Sequence, residues 1–137
     1  MNRALAYCRT ACGVPNDRLS GLDDQRNAIN QYATQNGLTL VGTYMDVGFS
    51  GVTLNRPQLQ KLIADCRAGK VGMVLTQDLD RLSRDYSQLL ALLHMFKAEG
   101  VRLAFATREG RSQYAMFAAV VRALAQIFDR KSKGKEV

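Results

Sequence analysis

Hydrophobic residues fall along this chain in short clusters whose period changes repeatedly, and the changes predict alternating strands and helices. Leu5-Ala6-Tyr7-Cys8 is a compact apolar run ending near Arg9, as expected of a short buried strand. Gly13, Pro15, Asn16 and Asp17 predict a loop. Ser20, with Asp23 three residues on, predicts a helix N-cap, and Gly37 follows the helix end expected near Asn36. Leu38 to Met45 carries the β-branched and aromatic residues of a second strand, and Gly48-Phe49-Ser50-Gly51 reads as a turn. Pro57 suits the first turn of a helix in which Leu59, Leu62, Ile63 and Cys66 share a face up to Gly69. Val71 to Thr76 is continuously apolar, the signature of a strand covered on both faces. A polar segment, Gln77 to Arg84, separates it from a helix over Tyr86 to Glu99 with a stripe of Leu89, Leu90, Leu93 and Phe96. Val101 to Ala106 predicts a fourth strand. Phe117, Val120, Val121, Leu124 and Phe128 then lie on one face of a long helix that no Pro or Gly interrupts from Ser112 to Ser132.

This alternation predicts an α/β fold: a mainly parallel sheet of roughly four to five strands, helices on both faces, and a long C-terminal helix. In such sheets sites gather beyond the carboxyl ends of the strands. That edge carries Arg9 to Cys12, Asp46 to Gly51, Gln77 to Arg84 and Thr107 to Gly110.

The 137 residues make one domain, and 47% hydrophobic with 23% charged residues excludes a disordered chain. No apolar run approaches the ~20 residues of a membrane span. Ala4 to Cys8 is too short for a signal-peptide core, so a cytoplasmic protein with no membrane partner is expected. The net charge of +7 changes the picture more. It fits simple solubility, and it equally fits a polyanionic partner such as nucleic acid. Cys8, Cys12 and Cys66 make no disulfide framework, and with His94 the only histidine no structural zinc set is expected.

The candidate chemistry lies at the strand ends. Arg9, Arg56, Arg81 and Arg84 supply forked, permanently charged donors that match phosphate oxygens. Convergent arginines can stabilise the spread charge of a phosphoryl-transfer transition state without a metal; the plain alternative is a set of solvated or paired surface arginines. Asp78 and Asp80 form a D-x-D pair that would share one face if the strand persisted, and could then hold Mg²⁺ or act as acid and base. The competing reading pairs one of them with Arg81 or Arg84 and uses the other as a cap. Neither a phosphate-cradling Gly-x-x-x-x-Gly-Lys nor a dinucleotide fingerprint occurs, and Ser50 does not sit in a nucleophile elbow.

Taken together, Tyr7-Cys8-Arg9-Thr10-Ala11, Gln25-Arg26, Asp46-x-Gly48-x-Ser50-Gly51, Asn55-Arg56-Pro57 and Leu79-Asp80-Arg81-Leu82-Ser83-Arg84 resemble the catalytic domain of the serine recombinases, the resolvase and invertase family. Ala125 to Arg130 resembles the acidic-Arg signature of that family's long helix. The resemblance covers nearly all of residues 3–131 and, from the length of the loop between Arg9 and Gln25, leans towards the large integrase or transposase branch. It implies attack of a serine on a DNA phosphodiester, a 5′-phosphoserine ester, and rejoining by the free 3′ hydroxyl without any cofactor. It implies double-stranded DNA as partner, with a homodimer and a homotetramer formed by the full-length protein. Arg9, Arg81, Arg84 and Arg56 would surround the phosphate. Asp80 would move a proton or hold the arginines, and Tyr7 would stand beside the nucleophile. Gln25, Ser50 and Ser83 would support the pocket. Arg130 and Lys131 would face DNA or a partner subunit. Residues 1–110 would form the catalytic core and residues 111–137 the start of the long helix, with the family's C-terminal DNA-binding region absent from this chain.

The sequence departs from the family at the decisive place. The family pattern has serine at the nucleophile position, and this chain has Ala11, whose methyl group cannot attack phosphorus. An engineered Ser-to-Ala change, a naturally inactive DNA-binding or oligomerising relative, and a displaced nucleophile at Cys12 or Thr10 each account for it. A Mg²⁺-dependent nuclease-type domain built on Asp78 and Asp80 is the alternative outside the family.

Overall fold

The computed structural model describes residues 2–10 and 15–135, with side chains described for residues 2–10 and 21–129. The element order is β1 (Arg3–Thr10), α1 (Pro15–Gln35), β2 (Thr39–Val47), α2 (Pro57–Arg67), β3 (Met73–Thr76), α3 (Leu79–Leu82), α4 (Tyr86–Ala98), β4 (Arg102–Phe105) and α5 (Arg108–Lys135). The four strands form one sheet in the order β2-β1-β3-β4, and every adjacent pair is parallel. The expected α/β architecture is therefore present.

The period of two along β1 divides the core. Leu5 and Tyr7 face one side and join Val74, Leu59, Leu62, Leu89, Leu92 and Phe96, which seat α2 and α4 on that face. Ala6 and Cys8 face the other side and join Leu75, Leu22, Ile29 and Ala33, which seat α1. β1 is buried on both faces because helices cover both, which is why its sequence shows no polar alternation.

Three local expectations change. α1 begins at Pro15, not at Ser20, because proline is pre-set for the first helical position and its missing N–H costs nothing there. On α4 the buried residues are Leu89, Leu92 and Phe96, while Leu90 is exposed, so the core stripe is rotated from the one read along the chain. The strand before the D-x-D pair ends at Thr76, so Asp78 and Asp80 do not alternate on a strand face. Asp78 precedes α3, and Asp80 lies exposed within it.

α5 spans 28 residues, about 42 Å at the usual helical rise. Its start is pressed tightly to the segment that follows β3: a Cβ on Gly110 would collide with the Gln77 carbonyl oxygen. Tyr114 and Phe117 pack on the core, with Phe117 stacked on Tyr86 and Tyr114 tilted against Phe105. Beyond them Val120, Leu124, Ile127 and Phe128 are exposed.

Cys8 and Cys66 are free, buried thiols, and burial pushes each up to about 11. At pH 8 only about 0.1% of either is thiolate. Neither should be alkylated in the native protein over an hour, while both should react on denaturation; peptide mass spectrometry after pulse labelling checks this.

Candidate active site

Strand order sets where the site lies. From β1 the chain crosses to β2 on one side, and later to β3 and β4 on the other, so a crevice opens at the carboxyl ends of β1 and β3. Three segments converge there: the end of β1, the loop from Gly48 to Arg56, and the run from Gln77 to Arg84.

Arg9 leaves the end of β1 on the α2/α4 side, with its residue only 2% exposed. Its Nε donates to the Arg81 carbonyl (3.2 Å), and its terminal nitrogens donate to Phe49 O (3.0 Å) and Asp80 O (2.7 Å). One guanidinium thus joins all three segments. Burial lowers its pKa, and the neighbouring charges of Arg56, Arg81 and Arg84 push in the same direction. A cluster of this kind is primed to gain from an anion.

Arg56 is fully buried and lies beneath the crevice. Its Nε donates to Thr53 O (2.9 Å), one terminal nitrogen to the Tyr7 hydroxyl (3.0 Å) and Arg81 O (2.9 Å), and the other to Leu82 O. Its guanidinium also lies over the Tyr7 ring, 5.7 Å from the centroid. Arg56 therefore acts from below as a fixed charge and brace and does not present donors at the surface.

Tyr7 and Asp46 complete this base. The Tyr7 hydroxyl donates to Asp46 Oδ2 (2.8 Å). Burial, aided by Asp46 and opposed by Arg56, holds the phenol well above its usual range, so it stays a neutral donor at pH 7. Asp46 also accepts from the backbone amides of Gln58 and Leu59, both at 3.0 Å. Arg56 at the N-cap of α2 makes no side-chain cap, so a carboxylate from β2 satisfies these first-turn amides instead.

Gln25 occupies the buried stripe of α1 between Leu22 and Ile29 and brackets the Arg9 main chain. Its Oε1 accepts from Arg9 N and its Nε2 donates to Arg9 O, both at 3.0 Å. Arg81 also donates to Arg9 O (3.1 Å). Arg81 Nε lies 4.0 Å from Asp78 Oδ1, and neither atom has a hydrogen-bond partner among the described residues. Arg84 is exposed at the mouth.

A second set of bonds ties the Gly48–Arg56 loop to the arginine-bearing run. The amide of Arg84 donates to Gly51 O (2.7 Å). The Ser83 hydroxyl accepts from Asp85 N (3.0 Å) and faces Gly51 O (3.1 Å) and Gln88 Oε1 (2.9 Å). Gln88 Nε2 donates to Val52 O (2.8 Å). Gly51 has no room for a side chain, since a Cβ would lie 2.7 Å from an Arg9 terminal nitrogen and 2.9 Å from Arg84 Cγ. Ser50 is exposed and closes only its own turn, accepting from Val52 N (3.2 Å).

The structure thus gathers Tyr7, Arg9, Arg56, Asp80, Arg81, Ser83 and Arg84, with Gln25 behind them and Ser50 at the rim. Ala11, the nucleophile position of the resemblance, lies outside the described residues. Arg130 and Lys131 fall in α5, where only their backbone is described. No group of three or more His, Cys, Asp or Glu suited to a metal occurs among the described residues, and Asp78 faces Arg81. Sequence reading did not single out Gln88, and it left unseen that Asp46 joins Tyr7 to α2. The signal for Asp46 is a lone acid among apolar strand residues, just before the glycine turn.

Comparison with known proteins bears on the family and the fold. Residues 4–136 match the family model described as the resolvase N-terminal domain. A Bacillus subtilis (strain 168) protein named "Putative DNA recombinase" is 32% identical over 123 residues, which cover 85% of this chain and 24% of that protein. The chain therefore spans about a quarter of that relative's length. The N-terminal catalytic domain of TP901-1 integrase superposes with a TM-score of 0.72 at 25% identity, covering 91% of this chain and 98% of that one. The C-terminal catalytic domain of ISC1926 TnpA, an IS607-like serine recombinase, gives 0.70 at 27% identity over 91% and 80%. No helix among the described residues is long and apolar enough to cross a membrane. The chain belongs to the resolvase N-terminal domain family, with the fold of a serine recombinase catalytic domain.

Proposed function

We propose that this chain is the DNA-holding catalytic domain of a site-specific recombinase, and that with Ala11 in place of the nucleophile it grips a DNA phosphate without cutting it. The observation that carries this reading is the convergence of four arginines on one crevice, with Arg9 and Arg56 fixed by carbonyls and Arg81 and Arg84 nearer the surface. Fixed donors of one sign lower the barrier when negative charge spreads over a phosphoryl group, because they need no rearrangement. Arg84 and Arg81 would meet the phosphate oxygens. Asp80, exposed beside them, would handle the proton of an attacking hydroxyl. Tyr7 and Gln25 would hold the end of β1, the strand that leads to the nucleophile position.

The exposed apolar positions of α5 support assembly into a dimer, and a tetramer in the full-length protein. Arg130 and Lys131, further along the same helix, would meet DNA or the partner subunit.

Binding should be governed by the phosphate backbone and should weaken steeply with salt. Arg84→Ala should weaken duplex binding by about 5- to 30-fold and reduce the salt slope by about one, with melting unchanged, since Arg84 is exposed. Fluorescence anisotropy of a labelled duplex across a salt series measures both. An Arg84→Ala affinity equal to that of the unaltered chain would contradict the reading.

A further inference from the structure

Resting on the reading that the arginines hold a DNA phosphate, we infer that Gln88 is a positioning residue that sets where Arg84 stands. Gln88 has no hydrogen bond to any of the four arginines and reaches the crevice through Ser83 and the Gly48–Arg56 loop. It lies in the first turn of α4, where Asp85 Oδ1 accepts from its amide at 3.1 Å and fixes its backbone. From there its side chain reaches two ways. The amide nitrogen holds the carbonyl of Val52, 36 positions away in sequence, and the amide oxygen faces the Ser83 hydroxyl. Both contacts grip the same loop, because Ser83 also reaches the neighbouring carbonyl of Gly51.

That loop is the template for the arginines. Gly51 O takes the amide of Arg84, and Phe49 O takes a terminal nitrogen of Arg9. A Cβ on Gly51 would collide with both the Arg9 guanidinium and the Arg84 side chain, so the loop runs close against both, and the bond from the Arg84 amide to Gly51 O carries a shift of the loop to the Arg84 main chain. Arg9 is anchored twice more, to Arg81 O and Asp80 O, whereas the Arg84 side chain is exposed. Loss of the Gln88 clamp therefore falls on Arg84. A carboxamide suits this position because it supplies both a donor and an acceptor and adds no charge beside the guanidinium groups.

The test compares the unaltered chain with Gln88→Met, which keeps length and removes both bonds. Gln88→Glu is the second variant: it keeps the acceptor towards Ser83, removes the donor to Val52 and adds a negative charge there. Amide exchange at Arg84 should quicken by about tenfold and the duplex dissociation constant should rise about fivefold, while amides of β1 and β3 keep their protection. Nitrogen relaxation at Arg84 Nε should show a more mobile side chain, a change that altered packing alone does not produce. Unchanged exchange at Arg84, or unchanged affinity despite faster exchange, in both variants overturns the proposal. If the unaltered chain does not bind the duplex, the DNA reading fails, and exchange and relaxation at Arg84 still decide whether Gln88 positions it.

Discussion

Ala11→Ser should turn this chain from one that only binds DNA into one that forms a covalent adduct with it. The serine Oγ would attack phosphorus, the Oγ–P bond would form, and the P–O3′ bond would break, with the 3′ oxygen leaving as a hydroxyl after taking a proton. The DNA 5′ phosphate would remain as a serine ester. Removing a nucleophile that acts together with its surroundings costs on the order of a millionfold, so restoring it is the largest functional change available here. An end-labelled duplex, held above its dissociation constant and run on a denaturing gel, shows the adduct as a band that protease removes. Adding Arg84→Ala should lower adduct formation by about 100- to 1,000-fold, the usual loss when one fixed donor to a developing charge is removed. DNA binding without any adduct in the Ala11→Ser chain would favour a non-enzymatic binding module. An adduct in the unaltered chain would point to Cys12 or Thr10.

The largest loss of stability should come from Asp46→Ala. Asp46 is 1% exposed and accepts from the Tyr7 hydroxyl and from two amides at the start of α2. Alanine leaves those three donors without their acceptor, two of them in the interior, and removes the carboxylate bridged through Tyr7 to a fully buried Arg56. Breaking a buried charged network of this kind costs about 3–5 kcal/mol. Melting should fall by roughly 10–20 °C, and the urea midpoint should drop with little change in slope. Asp46→Asn keeps one acceptor and should lose less. A loss below about 1 kcal/mol for Asp46→Ala would mean that the base of the crevice is braced elsewhere.

Much of this was legible along the chain because the relevant signals are local. Four apolar runs separated by helical stripes give the parallel sheet, and the sheet alone brings residues 9, 46–51 and 77–84 to one edge. Arg9, Arg81 and Arg84 follow from that edge. What sequence spacing could not supply is direction. Arg56 reads like the other arginines, yet it points inward, because its helix starts with proline and its own side chain is taken up by carbonyls of residues 53, 81 and 82. Gln25 looks polar and unremarkable until its place on the apolar stripe of α1 is noticed; a buried amide there needs two partners, and the Arg9 main chain provides them. Asp78 and Asp80 would share a face only on a strand that continued past Thr76, where β3 ends. The Gln88 clamp spans 36 residues and joins side chain to backbone, which leaves no trace in composition or period.

The central claim is that DNA phosphate lies on the arginine crevice at the carboxyl edge of the sheet, and the unaltered chain can test it. A duplex titrated into isotope-labelled protein at low salt should shift the side-chain Nε–H signals of Arg84 and Arg81 and the amides of Gly51 and Ser83. The signals of Arg3, Arg67 and Arg102, at the opposite end of the strands, should stay in place. Shifts confined to Arg3, Arg67 and Arg102, with Arg84 and Arg81 unmoved at saturation, would contradict the account.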